Sequence, residues 1–259
     1  MTGRLAGKVA IVTGSGQGIG EATARRFAEE GAAVVVAELD PKTGAAVAGS
    51  IVAAGGRAIA VRTDVADEAA VAAMVERTVA ELGPPDVLVN NAGIAVFGNP
   101  LEITREDWVR CFAVDLDGVW HGCKHVLPHM LARRSGAIVN IASVHAFQII
   151  PHTFPYPVAK HGVLGLTRSL ALEYADQGVR VNAISPGYIL TPINEWYFGT
   201  KPDPAQARRD TEAMHPVKRL GRADEIAAAA LFLASDEVGF MIGANLVIDG
   251  GMTIRIHDN

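Results

Sequence analysis

Cysteine is scarce in this chain, and no apolar run approaches the length of a membrane span. The two cysteines, Cys111 and Cys123, lie twelve residues apart in one predicted helix. At 1.5 Å per residue this separates them by roughly 18 Å, which is too far for a disulfide. No stretch reaches about 20 apolar residues, and the first residues lack the apolar core of a signal peptide. We therefore expect a cytoplasmic protein with reduced thiols.

Neither sign of charge is in large excess, and the usual metal-binding patterns are missing. The formal net charge is −5, which provides no long-range attraction to nucleic acid or to anionic membranes. The eight histidines include no HExxH pattern, and the two cysteines do not have ligand spacing. We expect no nucleic-acid, membrane or metal partner.

What the sequence does contain is a regular alternation of short apolar runs and helical patterns. The apolar runs predict strands buried on both faces of a sheet: 8–13, 33–38, 58–63, 86–90, 137–141, 180–184 and 245–249. Helical patterns are clearest at 21–30, 67–82, 105–132, 156–175 and 223–234. This rhythm predicts an α/β fold of the doubly wound, Rossmann type: a parallel seven-stranded sheet with helices on both faces. With no break in composition, we expect one domain over residues 1–259.

A glycine-rich turn follows the first predicted strand and precedes the first helix. Its glycines are spaced as GxxxGxG, through Gly14, Gly18 and Gly20. Glycines let the backbone approach a pyrophosphate closely, and the helix N-terminus supplies free N–H groups with a partial positive charge. The order of strand, turn and helix therefore predicts a dinucleotide site.

The second predicted strand ends in an acidic residue, Glu38, eighteen residues after Gly20. A carboxylate near this distance binds the ribose 2′-hydroxyl of NAD and repels the 2′-phosphate of NADP. Neither Gln17 nor Leu39 supplies the cation that NADP would need. The sequence predicts NAD as cofactor; Asp40 is the competing candidate for the ribose contact.

Tyr156 and Lys160 are four residues apart, so they lie on one face of a helix about one turn from each other. A free phenol has a pKa near 10 and is a poor base at neutral pH. A neighbouring ammonium favours the phenolate, so we expect Lys160 to lower the pKa of Tyr156. Ser143, thirteen residues upstream, could hold a substrate oxygen while Tyr156 exchanges its proton.

One long segment interrupts the alternation. Between Pro186 and Arg219 we predict no strand, and the segment holds four further prolines beside the aromatic run 196–198. Loops of this length inside compact domains are usually functional or disordered, and adjacent aromatic rings favour packing. We predict a mobile substrate lid over residues 188–219.

Seven motifs in a fixed order make the chain resemble the short-chain dehydrogenase/reductase family from Gly7 to about Met252. They are TGSGQGIG (13–20), DV (64–65), NNAG (90–93), Ser143, YPVAK (156–160), RVNAISPG (180–187) and DGG (249–251). The resemblance implies hydride transfer between a secondary alcohol and nicotinamide, with Ser143, Tyr156 and Lys160 as the catalytic triad and Tyr156 as general base. It also implies a homotetramer built through the helices 105–132 and 156–175 and through the last strand with its tail beyond Met252.

The same resemblance implies which residues bind the dinucleotide. The glycine turn lines the pyrophosphate, Glu38 takes the ribose position, Asp64 and Val65 flank the adenine, and Ile189 and Thr191 contact the carboxamide. The full set is Gly14, Ser15, Gln17, Gly18, Ile19, Gly20, Glu38, Leu39, Asp64, Val65, Asn91, Ala92, Gly93, Tyr156, Lys160, Pro186, Gly187, Ile189 and Thr191.

Asp115 departs from the family pattern. Many members carry asparagine here, where it anchors a water leading to the active lysine. A carboxylate accepts hydrogen bonds but donates none unless it is protonated. We include Asp115 among the catalytic residues and expect Asp115→Asn to keep most activity while shifting the pH profile.

The substrate pocket is inferred by analogy from the residues after Gly93, Ser143 and Gly187 and from the lid. The selected residues are Ser143, His145, Phe97, Gln148, Phe154, Tyr188 and Trp196. Polar groups mixed with aromatic faces suit a sugar or polyol, our first prediction. The alternatives are a hydroxysteroid or other bulky secondary alcohol, a 3-oxoacyl reductase, which usually requires NADPH, and a non-catalytic NAD-binding protein, against which the intact triad argues.

Overall fold

The computed structural model describes residues 3–255 and is built around a seven-stranded parallel sheet. Residues 1–2 and 256–259 of the predicted domain, including the end of the tail beyond Met252, lie outside the described part. Strands are numbered along the chain, and those of the sheet are β1 (Val9–Thr13), β2 (Ala33–Glu38), β3 (Arg57–Arg62), β4 (Val87–Asn90), β6 (Gly136–Ile141), β8 (Val179–Pro186) and β11 (Asn245–Ile248). Their order is β11-β8-β6-β4-β1-β2-β3. The predicted sheet is confirmed.

The sheet is covered by helices on both faces. The helices are α1 (Gly18–Glu29), α2 (Pro41–Ala53), α3 (Glu68–Glu81), α4 (Arg105–Phe112), α5 (Gly118–Arg133), α6 (Tyr156–Tyr174), α7 (Pro192–Gly199), α8 (Pro204–Met214) and α9 (Ala223–Ala234). Side chains of α3, α5 and α6 form one apolar cluster with the sheet, and side chains of α1, α2 and α9 form another. Alternate residues of one strand serve the two clusters, since Ile11 faces the first while Ala10 and Val12 face the second.

The long helix predicted over 105–132 is interrupted. A π-helical turn, Ala113–Asp117, separates α4 from α5. Such a turn inserts one extra residue and changes the direction in which its side chains point. Both cysteines of this region are buried and free, as expected, and burial raises the pKa of each thiol to about 12.

The segment 188–219 has more regular structure than predicted. The expectation that it holds no strand is wrong, because β9 (Ile189–Leu190) pairs in parallel with β10 (Gly221–Arg222). It also contains α7 and α8, each with a proline in its first turn, where the missing N–H costs no hydrogen bond. A second small sheet joins β5 (Phe97–Gly98) to β7 (Phe154–Pro155). Among residues 3–255, no helix has the length and apolar character needed to cross a bilayer.

Candidate active site

A cleft of about 370 Å³ lies at the carboxyl ends of the central strands. Its lining begins where β1, β4, β6 and β8 end, because parallel strands present all their carboxyl ends at one edge of a sheet. The order β4-β1 marks the point where the sheet changes winding direction, which is where such folds place their ligands.

The glycine turn is shaped to bring backbone close to a ligand. Gly14 and Gly18 have φ of +60° and +59°, and a Cβ at Gly14 would stand 2.8 Å from the Cα of Ala92. α1 begins at Gly18 and has no side-chain cap, since Gln17 makes no such hydrogen bond. Its first N–H groups are thus available to a pyrophosphate. The turn therefore fits the phosphates of a dinucleotide.

Glu38 lies in the cleft and is bound by backbone on both oxygens. Its Oε2 accepts from the N–H of Gly16 at 2.8 Å, and its Oε1 accepts from the N–H of Leu39 at 2.8 Å. Oε1 also accepts from the N–H of Asp40 at 3.3 Å, so the lone pair left for a ribose hydroxyl is on Oε2. Asp40 instead caps α2 by accepting from the N–H of Lys42 at 2.8 Å, and it does not line the cleft. The geometry thus favours Glu38 over Asp40.

The segment after β4 ties the glycine turn to the sheet. The Asn91 side chain donates to the carbonyls of Thr13 and Gly14, both at 2.9 Å. The N–H groups of Asn91 and Ala92 donate to the Thr13 hydroxyl at 3.0 and 3.1 Å. All predicted dinucleotide contacts line the cleft except Ser15 and Gly20, which lie behind it. Gly20 has no room for a side chain, because a Cβ there would stand 2.2 Å from the Gly14 carbonyl oxygen.

Ser143, Tyr156 and Lys160 meet in the cleft. Ser143 follows β6 and accepts a hydrogen bond from the N–H of His145 at 3.1 Å, which leaves its own hydroxyl hydrogen free to donate. Lys160 is 3% exposed, donates to the carbonyl of Ile141 at 3.2 Å, and places its Nζ 5.5 Å from the centre of the Tyr156 ring. The structure thus brings the three predicted residues together.

The pKa of Tyr156 is raised, so the prediction that it is lowered is wrong in its net direction. Burial raises this pKa most, and the carboxylate of Asp115 raises it further. The Lys160 ammonium lowers this pKa, as expected, and a hydrogen bond with Ser143 lowers it too, but burial and Asp115 together outweigh these two effects. The sequence did not reveal how strongly the packed surroundings would desolvate the half-buried phenol.

Asp115 contacts Lys160 directly. The π-helical turn directs this fully buried carboxylate into the site, where its Oδ1 lies 3.3 Å from Lys160 Nζ and accepts from the N–H of Ile94 at 3.2 Å. The Cys111 thiol donates to Oδ2 at 3.7 Å. Burial lowers the pKa of Lys160, but Asp115 and Tyr156 more than offset this and the net shift is upward. Burial raises the pKa of Asp115, and Lys160 opposes that shift.

Asp115→Asn is expected to move the pH profile of alcohol oxidation to lower pH, with the maximal rate kept within about tenfold. Oxidation with Tyr156 as base requires the phenolate, so the rate rises through the pKa of Tyr156. Removing the Asp115 carboxylate favours the phenolate and lowers that pKa. Initial rates between pH 6 and 11 (roughly the range bracketing a phenol) measure the shift.

Asp117→Asn is the matched control for this variant. It removes an exposed carboxylate from the same π-helical turn, and its profile should coincide with that of the unaltered enzyme. A rate loss above about a hundredfold in Asp115→Asn would be as large as the loss of a proton-transfer group itself. Such a loss would show that the enzyme depends on the carboxylate.

The substrate side of the cleft is more apolar than predicted. Phe97 packs edge-on against Tyr156, with ring centres 5.4 Å apart, and Tyr197 packs edge-on against Phe97 at 6.4 Å. Of the predicted substrate residues, Ser143, His145, Phe97 and Tyr188 line the cleft, whereas Gln148, Phe154 and Trp196 do not. Gln148 donates to the carbonyl of Thr253 at 2.8 Å, and Phe154 packs against Trp108.

Of the aromatic run 196–198, the structure places Tyr197 at the cleft and not the predicted Trp196. Trp196 is 66% exposed, and Tyr197 lines the cleft with Ile193 and Asn194. These three residues recur at helical spacing along α7 and therefore share a face. A helical assignment for residues 192–199 would have revealed this; the prediction of an irregular lid concealed it.

Comparisons with known proteins agree with this fold and site. A family model described as enoyl-(acyl carrier protein) reductase matches residues 14–253. The cis-4-hydroxycyclohexanecarboxylate dehydrogenase of Sinomonas cyclohexanicum is 48% identical, over 96% of this chain and 98% of that protein. The 3beta-hydroxysteroid dehydrogenase 1 of Eggerthella lenta is 43% identical, over 96% of this chain and 95% of that protein.

A solved structure gives the same result. The crystal structure of a Burkholderia xenovorans protein assigned to the short-chain dehydrogenases/reductases superposes with a TM-score of 0.95 at 39% identity. It covers 98% of this chain and 100% of the other. The resemblance inferred from the seven motifs is confirmed: the chain belongs to the short-chain dehydrogenase/reductase family, and it is an oxidoreductase that acts on CH–OH groups.

Proposed function

We propose that this protein is an NAD-dependent dehydrogenase of cyclic secondary alcohols. The observation that carries the proposal is the surroundings of the Tyr156 phenol. Ser143 and Lys160 line the cleft with it, and Phe97 packs against its ring. Tyr197 packs on Phe97 and extends this aromatic wall. The polar pair suits a reacting carbinol, while the wall suits the apolar body of a ring.

Each residue of the site has a part that follows from its contacts. When bound, the nicotinamide ring supplies the hydride acceptor. Tyr156 takes the proton from the substrate hydroxyl, and Ser143 donates to the same oxygen as it gains charge. Lys160, held by Ile141 and Asp115, favours the phenolate and is placed to bind the nicotinamide ribose. In ketone reduction the phenol returns the proton.

The contacts on the substrate side favour a carbocycle over a sugar. The sugar prediction depended on side chains free to bind several hydroxyls. The amide of Gln148 is bound to Thr253, and the amide of Asn194 donates to the carbonyl of Ile189 at 2.7 Å. Burial lowers the pKa of His145, so that its ring is neutral at physiological pH. The rest of the cleft wall near Phe97 and Tyr197 offers few polar side chains that could bind sugar hydroxyls.

The names of the relatives support the same choice. Cis-4-hydroxycyclohexanecarboxylate and 3beta-hydroxysteroids both carry a secondary hydroxyl on a six-membered carbocycle. A ring of this kind presents flat C–H faces, which pack well on aromatic side chains. We infer that the carbinol binds at Tyr156 with its ring against Phe97 and Tyr197.

NAD is the proposed cofactor because of Glu38. Its carboxylate stands in the cleft with a lone pair left on Oε2, and the lining residue beside it, Leu39, is uncharged. We further propose that residues 188–219 act as the substrate lid, since the cleft is lined from β9 and α7 by Ile189, Ile193 and Tyr197.

We also propose a cytoplasmic homotetramer assembled through α5 and α6. These helices expose large apolar side chains: Trp120 of α5 is 46% exposed, and Val158 and Leu172 of α6 are 42% and 84% exposed. Covering such residues is favourable at an interface. Light scattering checks this proposal, and a monomeric mass would refute it.

An initial-rate panel tests the substrate class and the cofactor together. We expect turnover of cyclohexanol derivatives and 3-hydroxysteroids with NAD, at kcat/KM at least about tenfold above that for free aldoses and linear polyols, a modest margin for apolar packing alone. Preferred turnover of a sugar would overturn the carbocycle proposal, and a preference for NADP would overturn the role of Glu38. Absence of turnover with every alcohol would favour a protein that only binds the cofactor.

A further inference from the structure

His215 is a buried histidine that does not belong to the Ser143, Tyr156 and Lys160 group. It lies against three segments near the cleft: helix α8, the residue Tyr188 and the turn after β11. It follows α8 at the end of the segment 188–219 and is 1% exposed. Its Nδ1 lies 2.9 Å from the carbonyl oxygen of Thr211, and its Nε2 lies 3.4 Å from the backbone nitrogen of Tyr188.

These contacts assign the tautomer. A carbonyl only accepts, so Nδ1 carries the hydrogen and donates to Thr211. Nε2 then has a free lone pair and accepts from the N–H of Tyr188, at the long end of hydrogen-bond distances. The imidazole thus links helix α8 to Tyr188, just after the end of β8.

Tyr188 lies between His215 and the cleft. Its ring meets the imidazole edge-on, with centres 6.0 Å apart, and it lines the cleft on the substrate side. The backbone before it is tightly enclosed, because a Cβ at Gly187 would stand 3.0 Å from the Cα of Asp249 and 3.2 Å from His215 Nε2. His215 therefore contacts both the backbone and the ring of Tyr188.

The third contact is with the turn after β11. The N–H of Val217 donates to the Gly250 carbonyl at 3.4 Å, and a Cβ at Gly250 would stand 3.5 Å from the Cβ of His215. Asp249 stabilises that turn by accepting from the N–H groups of Gly251 and Thr253 at 2.9 and 2.7 Å. The turn after β11 therefore packs close to His215 as well.

We propose that His215 is a positioning residue for the substrate: it holds Tyr188 in the cleft and so determines how tightly the ring-bearing alcohol binds. The proposal rests on the proposed function, since it assigns Tyr188 to the substrate side. His215 itself touches no reacting atom and acts through Tyr188. It therefore affects substrate affinity and leaves proton transfer by Tyr156 unaltered.

Two conservative variants separate the two hydrogen bonds. The shorter amide in His215→Asn reaches the Thr211 carbonyl but offers no acceptor to Tyr188, whereas His215→Gln places a carbonyl near the position of Nε2. We expect His215→Asn to raise KM for the alcohol about tenfold, the size of one hydrogen bond. Its kcat should stay within about threefold and its NAD affinity should be unchanged. His215→Gln should restore most of the affinity.

A double-mutant cycle with Tyr188→Ala tests whether His215 acts through Tyr188. In the Tyr188→Ala background, His215→Asn should have no further effect on KM. An undiminished effect there, or equal effects of the Asn and Gln variants, would overturn the proposal. Thermal unfolding confirms that each variant is folded.

The cycle uses whichever alcohol the unaltered enzyme converts best, so a non-cyclic substrate would refute the proposed substrate class while leaving this test intact. Crystal structures of both variants provide a readout that requires no turnover. Tyr188 should leave its position in the cleft in His215→Asn and keep it in His215→Gln. An unmoved Tyr188 in His215→Asn would refute the positioning role.

Discussion

Tyr156→Phe is expected to lower kcat by about 10²–10⁴-fold, the range usual for loss of a positioned proton-transfer group. The substitution removes one oxygen and keeps the ring, so the edge-on packing of Phe97 on residue 156 is preserved. Lys160 keeps its contacts with Ile141 and Asp115. The substrate hydroxyl then loses the group proposed to take its proton, and the Ser143 hydroxyl is a far weaker base.

The decisive comparison is between turnover and cofactor binding in this variant. Steady-state rates should fall as stated, while the Kd for NAD, measured by calorimetry, should stay within about threefold, less than the change from losing one hydrogen bond. Tyr174→Phe, at the far end of α6, is the matched control and should leave both unchanged. Retention of more than a tenth of the rate in Tyr156→Phe would exclude Tyr156 as the proton-transfer group.

Glu38→Ala combined with Leu39→Arg is expected to shift cofactor preference toward NADP by about a thousandfold, or about 4 kcal/mol. The loss for NAD comes from the hydrogen bonding between the Glu38 carboxylate and the ribose hydroxyls, at about 1.5–3 kcal/mol for each bond. The gain for NADP comes from removing the repulsion and supplying a guanidinium for the 2′-phosphate. Leu39 is 53% exposed and lines the cleft, so an arginine fits there without disturbing the core.

The ratio of kcat/KM for NAD to that for NADP measures this effect. Asp40→Ala is the control, because it removes the neighbouring acid that caps α2. It should cost about 1 kcal/mol of stability, as loss of a helix cap does, and leave the cofactor ratio unchanged. If the NAD/NADP ratio of kcat/KM changed in Asp40→Ala and not in the double variant, Asp40 and not Glu38 would be the residue that binds the ribose.

The sheet and most of the dinucleotide site were predictable because their signals are local. Buried parallel strands are short apolar runs, as in β2, and the glycine turn lies directly between β1 and α1. Ser143, Tyr156 and Lys160 were assigned from the family resemblance, and four-residue helical spacing correctly predicted that Tyr156 and Lys160 lie on one face of α6.

The errors arose where a side chain's environment comes from distant segments. Trp196 and Tyr197 are neighbours in sequence, and only the packing of α7 against the cleft decides that Tyr197 lines it. Gln148 was assigned to the substrate, yet its amide is bound by Thr253, 105 residues away. The π-helical turn that points Asp115 at Lys160 has no evident signature in its five residues.

The sequence by itself determined the α/β class, the order of strands and helices, and the glycine turn. Each of these follows from periodicity or spacing within a few residues, which the chain carries before it folds. Tertiary structure alone decided the raised pKa of Tyr156, the direct contact of Asp115 with Lys160, and the apolar wall facing the substrate. Burial and charge pairing depend on groups from separate elements, and those groups meet only when the sheet and its helices have packed together.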